Sequence, residues 1–396
     1  MAIILSHSSA LAFWANVRIG RSRAFYEGCK IVPACSSPLP SARATQKELA
    51  RLAMVFKPSA LDALALRDDM HVLVRQGRHN DKVRGIRAHS TTHDFSSRVF
   101  FQIAPDVFVV SPALCFCQMG EMLDLVDMIR LGDELCGKYA VLRNEISFSI
   151  EPLVRRATLA RRLRELPSAY GRTRAVQAMR YVVDDSASPR ETVLEIMLAL
   201  PRCKGGFGFS TPEMNGIIKV GRGTMDGVGA FQRRENGGVE INAGDARNRS
   251  SLSWRRTCVG PGSFREVAKE ANSGILRERA KGCVKNARRS QQPIGSILKC
   301  DLLWRSAGVA VEYDSDSFHT NAERIERDAL RRDLLEHMGI HVLTVTRRRF
   351  ASLPMMEEFA DELRKALGLR RRLLTPKQEH IRHTLHAALL KPGSWN

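Results

Sequence analysis

The chain has 396 residues, 44% of them hydrophobic, which leaves room for a substantial core and two or three domains. It carries 62 Lys and Arg against 42 Asp and Glu, a formal charge of +20, and this balance favours a polyanionic partner such as nucleic acid or an anionic membrane surface. No stretch reaches the ~18 uninterrupted apolar residues of a membrane span, and the nine cysteines, odd in number and without a C-x-x-C pair, read as free thiols rather than a disulfide framework or zinc site.

The N-terminal stretch "MAIILSHSSALAFWANVRIGRSR" lacks a basic leader, and "SHSS" breaks its apolar run. It reads as a short helix through "ALAFW" capped by Ser8 or Ser9, in a cytoplasmic protein. "ACSSPLPSARA" reads as a linker. From 46 onward the pattern is a small mixed α+β domain, ending near 150. "TQKELARLAMVF" is helical, while "DMHVLVRQ", "KVRGIRAHS" and "RVFFQIAPDVFVVS" are strand-like. Ser111-Pro112 then opens a helical stretch that ends at Gly137, with a core stripe at 114, 119, 122, 123, 126 and 129.

The second domain is assigned to 151–220 together with 297–370. Its basic start, "LVRRATLARRLRELPSAYGRTRAVQAMRYVV", suits a solvated helix face better than a phosphate-binding one. "SASPRETVLEIMLALP" is a helix opened by Ser188-Pro189, with Glu191 in its first turn, where the helix dipole favours an acid. Residues 221–296 are rich in Gly, Arg, Asn and Ser and lose periodicity, as expected of a poorly ordered basic insertion. Amphipathic helices close the chain, the last over 371–396. His380, His383 and His386 lie near helical spacing there, without a second ligand cluster to make a zinc site.

Between these lies "KCDLLWRSAGVAVEYDSDSFHT". Its two apolar runs, joined by "RSAG", read as a hairpin pairing Trp304 with Val309, Leu302 with Val311 and Asp301 with Glu312. Opposed residues have Cβ atoms about 5 Å apart, where like charges repel. Asp301 facing Glu312 gains nothing structurally, whereas a divalent cation such as Mg²⁺ takes such oxygen ligands. The rival reading is a solvated sheet edge. Strand period places Asp314 on the face of Glu312. Next come the loop of Asp316 and His319 and a helix, "ERIERDALRRDLLEHM", expected to turn Ile325, Ala329, Leu330, Leu334, Leu335 and Met338 to the core. Arginines beside paired carboxylates suit phosphodiester chemistry.

These motifs resemble the PD-(D/E)XK nuclease superfamily, in particular its branch of bacterial domains of unknown function similar to very-short-patch-repair endonucleases. The matching residues are D-x-x-W at 301–304, V-E-x-D at 311–314, His319, D-x-x-R at 328–331 and the Ser-Pro-x-Glu helix at 188–191. The region from "HVLV" to "GEMLDL" is similar to what precedes such domains, and more weakly to antitoxin-type DNA-binding modules. The resemblance implies an α/β fold, a restriction-endonuclease-like core of a mixed sheet flanked by helices. It also implies a Mg²⁺- or Mn²⁺-dependent DNA endonuclease or nickase. Asp301 and Glu312 would be its metal ligands, with Glu191 supporting the metal or its water and His319 assisting proton transfer. Asp328, Arg331 and Arg332 would orient groups or contact phosphate. The superfamily lysine is replaced by Asp314, as is common in this branch, and the general base is left unassigned. A non-catalytic DNA-binding regulator of an antiphage or toxin–antitoxin locus is the alternative, and RNA is an alternative substrate.

Overall fold

The computed structural model describes residues 2–19, 31–35, 39, 70–75, 85–142, 145–168, 171–219, 297–314, 322–371 and 373–391. The expected helix over "TQKELARLAMVF", the insertion at 221–296, Asp316 and His319 lie outside the described residues. The chain divides into two units, 1–216 with 299–396 and 217–298, and the first holds Glu191, Asp301 and Glu312.

The first described elements are β1 (Ile3–Leu5), α1 (His7–Arg18), β2 (Val32–Pro33), β3 (Met70–Arg75), β4 (Ile86–Thr91), β5 (Phe100–Ala104) and β6 (Val107–Val110). The strands make a six-stranded mixed sheet in the order β2-β5-β6-β1-β3-β4. β1 is central, parallel to β6 and antiparallel to β3, which is why Ile4 and Leu5 are wholly buried. The α1 helix begins at His7 with Ser6 as its N-cap, not at the expected Ser8 or Ser9. Ser9 Oγ is instead used by β3, accepting the His71 N–H at 2.9 Å. Trp14 locks α1 onto the sheet by donating Nε1–H to the Val110 carbonyl at 2.9 Å.

Helices α2 (Pro112–Met122) and α3 (Leu125–Cys136) follow, then the hairpin β7 (Tyr139–Leu142) and β8 (Glu145–Phe148), then α4 (Arg156–Glu165), α5 (Arg172–Ala178) and α6 (Pro189–Ala199). Ser111 caps α2 as expected, accepting the Leu114 N–H, and Asp124 caps α3. Leu114, Met119, Leu123 and Ile129 of the expected stripe are buried, whereas Met122 is exposed because α2 ends there and the chain turns extended at Leu123. On α4, Arg161 and Arg162 pair with Glu165 on the surface, which suits a solvated face. The six cysteines among the described residues are free. No helix of the described residues is long and apolar enough to cross a membrane.

The remaining elements are β9 (Glu213–Lys219), β10 (Ile297–Trp304), β11 (Val309–Asp314), α7 (Ala322–His337), β12 (His341–Thr346), α8 (Arg347–Ala351), α9 (Leu353–Ala366) and α10 (Pro376–Leu389). Here the sheet is four-stranded and mixed, in the order β12-β11-β10-β9, with β10 and β11 antiparallel and β11 and β12 parallel. The hairpin register is the expected one: Leu302 faces Val311, Leu303 faces Ala310 and Trp304 faces Val309. Its turn, Arg305–Ala307, closes on Gly308 at φ +63°, a left-handed conformation where a Cβ would also meet the Gly339 carbonyl oxygen at 2.6 Å. Of the residues expected to turn from this helix to the core, Leu334 and Leu335 are buried, Leu330 and Met338 (just past the end of α7) are half-buried, and Ala329 is exposed. One cluster of buried apolar residues runs from Ile3 to Leu389. The α7 side chains up to 327, Ile325 among them, are outside the described ones.

Among the buried acids are Asp133 of α3 and Glu195 of α6. Val183 N–H donates to Asp133 Oδ1 at 2.8 Å, while Asp133 Oδ2 has no hydrogen-bond partner. Burial pushes Glu195 up to about 8, and burial with the Glu195 charge pushes Asp133 up as well. The native state therefore holds protons that the unfolded chain has released, and stability falls as pH climbs from the ordinary carboxylate range toward 8. Glu195→Gln is expected to raise Tm by several degrees at about pH 8, and to leave it nearly unchanged at about pH 4, in calorimetry on both proteins.

Candidate functional site

The site begins at the entry to α6. Ser188 caps the helix through Oγ, which accepts the Glu191 N–H at 3.2 Å, and Pro189 fixes the first turn. Glu191 folds back, accepting from Ser188 Oγ–H at 2.9 Å and Ala187 N–H at 3.0 Å. A third donor reaches it from β9: Asn215 Nδ2 stands 2.7 Å from Glu191 Oε2 and 3.0 Å from the Asp185 carbonyl. Asn215 sits at φ +50° and Asp185 at φ +68°, so two strained non-glycine residues surround this carboxylate. The N-terminal acid thus belongs to a capping arrangement and also faces the sheet.

Arg190 ties the helix start to β11, with its guanidinium 5.7 Å from the centre of the Tyr313 ring and Nη1 3.4 Å from the phenol oxygen. Asp301, one strand over, accepts the Tyr313 N–H at 2.9 Å through Oδ2. Burial, then the charge of Glu191, and less strongly that of Glu312, push Asp301 up to about 7, against the Tyr313 hydrogen bond and the Arg331 charge. Glu191 is also raised, by burial, against its three hydrogen bonds and the Lys138 charge. Each of the three acids stands on a different element, and their charges are felt at Asp301.

Glu312 is engaged otherwise. Arg331 of α7 grips it with Nη2 2.6 Å from Oε1 and Nη1 2.8 Å from Oε2, and Nη2 also donates to the Lys299 carbonyl. This two-pronged pair fixes the α7 face against β10 and β11. Arg331, expected to orient groups or contact phosphate, is engaged here by Glu312 and the Lys299 carbonyl. Asp314, Asp328 and Arg332 are exposed. The three acids do not share one tight cluster: among the described residues, only His7, His71 and His89 form a group of three or more potential ligands with all ligand atoms within 4.8 Å of one another.

That histidine group is what sequence reasoning missed. Its members sit far apart in the chain on α1, β3 and β4, and no motif spacing announces them. Burial, then neighbouring imidazoles and Arg87, holds His7 down to about 2 and His89 down to about 4, so both rings are neutral near neutral pH. The C-terminal histidines do not assemble: His380 and His383 are exposed, and His386 is buried with Nε2 on the Phe350 carbonyl at 2.7 Å. Comparison of the chain with protein-family models, with curated proteins and with solved structures yields no match.

Proposed function

We propose that the chain is a divalent-metal-dependent DNA endonuclease or nickase acting in the cytoplasm, with Mg²⁺ or Mn²⁺ held by Asp301 and Glu312 and supported by Glu191. The observation that carries this reading is that Asp301 of β10 is raised to about 7 by burial and by the charges of Glu191 at the start of α6 and Glu312 on β11. Hard oxygen donors that repel one another are the set such an ion takes. When bound, the ion supplies the positive charge that activates water and offsets charge developing on the phosphate.

The chain's own residues do the positioning. The Tyr313 N–H holds Asp301, while Ser188, the Ala187 N–H and Asn215 hold Glu191. Arg331 holds Glu312. The excess of Lys and Arg supplies phosphate contacts, and binding through them weakens with salt. His319 remains the candidate proton-transfer group. The reading of a non-catalytic DNA-binding regulator is favoured by one feature, the exposed Asp314 where the superfamily has lysine. An RNA nuclease shares the chemistry and differs in substrate.

Supercoiled plasmid incubated with the purified full chain separates these readings. Nicking or linearisation that requires Mg²⁺ or Mn²⁺ is the expected result. Salt-sensitive DNA binding with no cleavage under either ion assigns the regulator role, and cleavage confined to RNA changes the substrate.

A further inference from the structure

The start of α1 and the paired strands β3 and β4 bring His7, His71 and His89 together. In the parallel register His71 faces Arg87 and Leu73 faces His89, so the strand period puts both imidazoles on one face of the sheet. His71 Nδ1 stands 3.0 Å from His89 Nε2, and the His7 ring stacks on His89 at 3.5 Å between centroids. His7 Nδ1 is engaged by Ser6 Oγ at 3.1 Å. Its Nε2 is buried with no hydrogen-bond partner, 3.7 Å from Glu121 Oε2 at the end of α2.

A buried polar nitrogen left without a partner is costly, and native structures rarely keep one without a use. His7 is also held in the left-handed region, at φ +47°, by its N–H on Gln118 Oε1 and by Cys115 Sγ–H on its carbonyl. Strain of this kind persists where the surroundings impose it, commonly at ligand sites. A cavity of about 40 Å³ adjoins the cluster, lined by His7, His89, Thr91, His93, Gln118 and Glu121 among others.

We propose that His7, His71, His89 and Glu121 form a binding site for a Zn²⁺-class ion. Zinc with nitrogen ligands at about 2.0–2.1 Å in a tetrahedron sets neighbouring donors about 3.3 Å apart, and the 3.0 Å and 3.7 Å separations here straddle that distance. Imidazole donors select zinc-like ions over Mg²⁺. Ser6 fixes the His7 ring through Nδ1, the outer-sphere contact that leaves Nε2 to ligate. The stacked rings of His7 and His89 must tilt to converge on the ion, and the cavity supplies the room. Four protein ligands make a closed, structural site. It ties the start of α1 and the end of α2 to the outer strands of the six-stranded sheet. This site is independent of the carboxylates.

The test uses the full chain after chelator dialysis. Competition with a chromophoric chelator is expected to show one tightly bound Zn²⁺ per chain. Co²⁺ is expected to give the visible band of tetrahedral coordination, and Zn²⁺ to raise Tm. His89→Asn is expected to weaken Zn²⁺ on the order of 100-fold or more and to erase the Co²⁺ band. Glu121→Gln, at an exposed side chain that leaves the core intact, is expected to weaken it by about tenfold. A double variant His380→Ala/His383→Ala is expected to bind as the parent does. Absence of stoichiometric Zn²⁺, or parental affinity in both His89→Asn and Glu121→Gln, overturns the proposal. So does loss of binding in the C-terminal variant alone. Should His89→Asn fail to fold, the Glu121→Gln result decides.

Discussion

Asp301→Asn is expected to reduce Mg²⁺-dependent cleavage on the order of a hundredfold or more, since removing even an outer-sphere partner costs 10–100-fold. The same change should stabilise the metal-free protein at alkaline pH. Asp301 is raised to about 7 in the folded chain, above its unfolded value, so its ionisation lowers stability as pH climbs from about 4 to about 7 and leaves the full cost in place above. Asparagine carries no charge and still offers an oxygen to the Tyr313 N–H. The expected gain at about pH 8 is about 1–3 kcal/mol, and near zero at about pH 4. Adding Mg²⁺ should stabilise the wild type and not the variant. Denaturation with and without Mg²⁺ at both pH values, beside a plasmid-nicking assay, measures all of this. DNA affinity without metal should be unchanged, because it rests on cations and phosphates. Equal cleavage by variant and wild type would remove Asp301 from the site.

Arg331→Met is expected to destabilise the chain by about 1–3 kcal/mol, because it strands a half-buried Glu312 carboxylate beside Asp301. Breaking one partner of such a pair costs more than replacing both. The double variant Arg331→Met/Glu312→Gln should therefore recover most of the loss, and a double-mutant cycle in denaturant gives the coupling. Additive losses would show that the Arg331–Glu312 contact carries no coupling. If Arg331 only orients Glu312, its loss should leave the salt slope of DNA binding unchanged; a slope lower by about one would mark a direct phosphate contact.

Local rules read directly from the sequence determined much of the framework. Ser111-Pro112 and Ser188-Pro189 are caps that satisfy backbone N–H groups within three residues, so their helices start where expected. The "RSAG" turn likewise fixed the register of β10 on β11, since turn length and the left-handed Gly308 leave little freedom. The hydrogen bond from the Tyr313 N–H of β11 to Asp301 of β10 joins the same two strands.

Other features depend on contacts between residues distant in the chain. That Ile3–Leu5 forms a central strand is decided by β6 on one side and β3 on the other, neither adjacent in sequence. Ser9 reads as a cap until β3 is seen to claim its hydroxyl. The sequence offers Arg331 as an orienting or phosphate-contacting group, and only the packing of α7 gives it Glu312 as a partner. The third donor to Glu191, Asn215, comes from a strand whose sequence carries no signal for it. His7, His71 and His89 show the same limit most plainly. Periodicity reports what lies within a few turns or pleats, but a cluster assembled from a helix start and two parallel strands exists only once the sheet has formed, because parallel pairing joins segments through long connections.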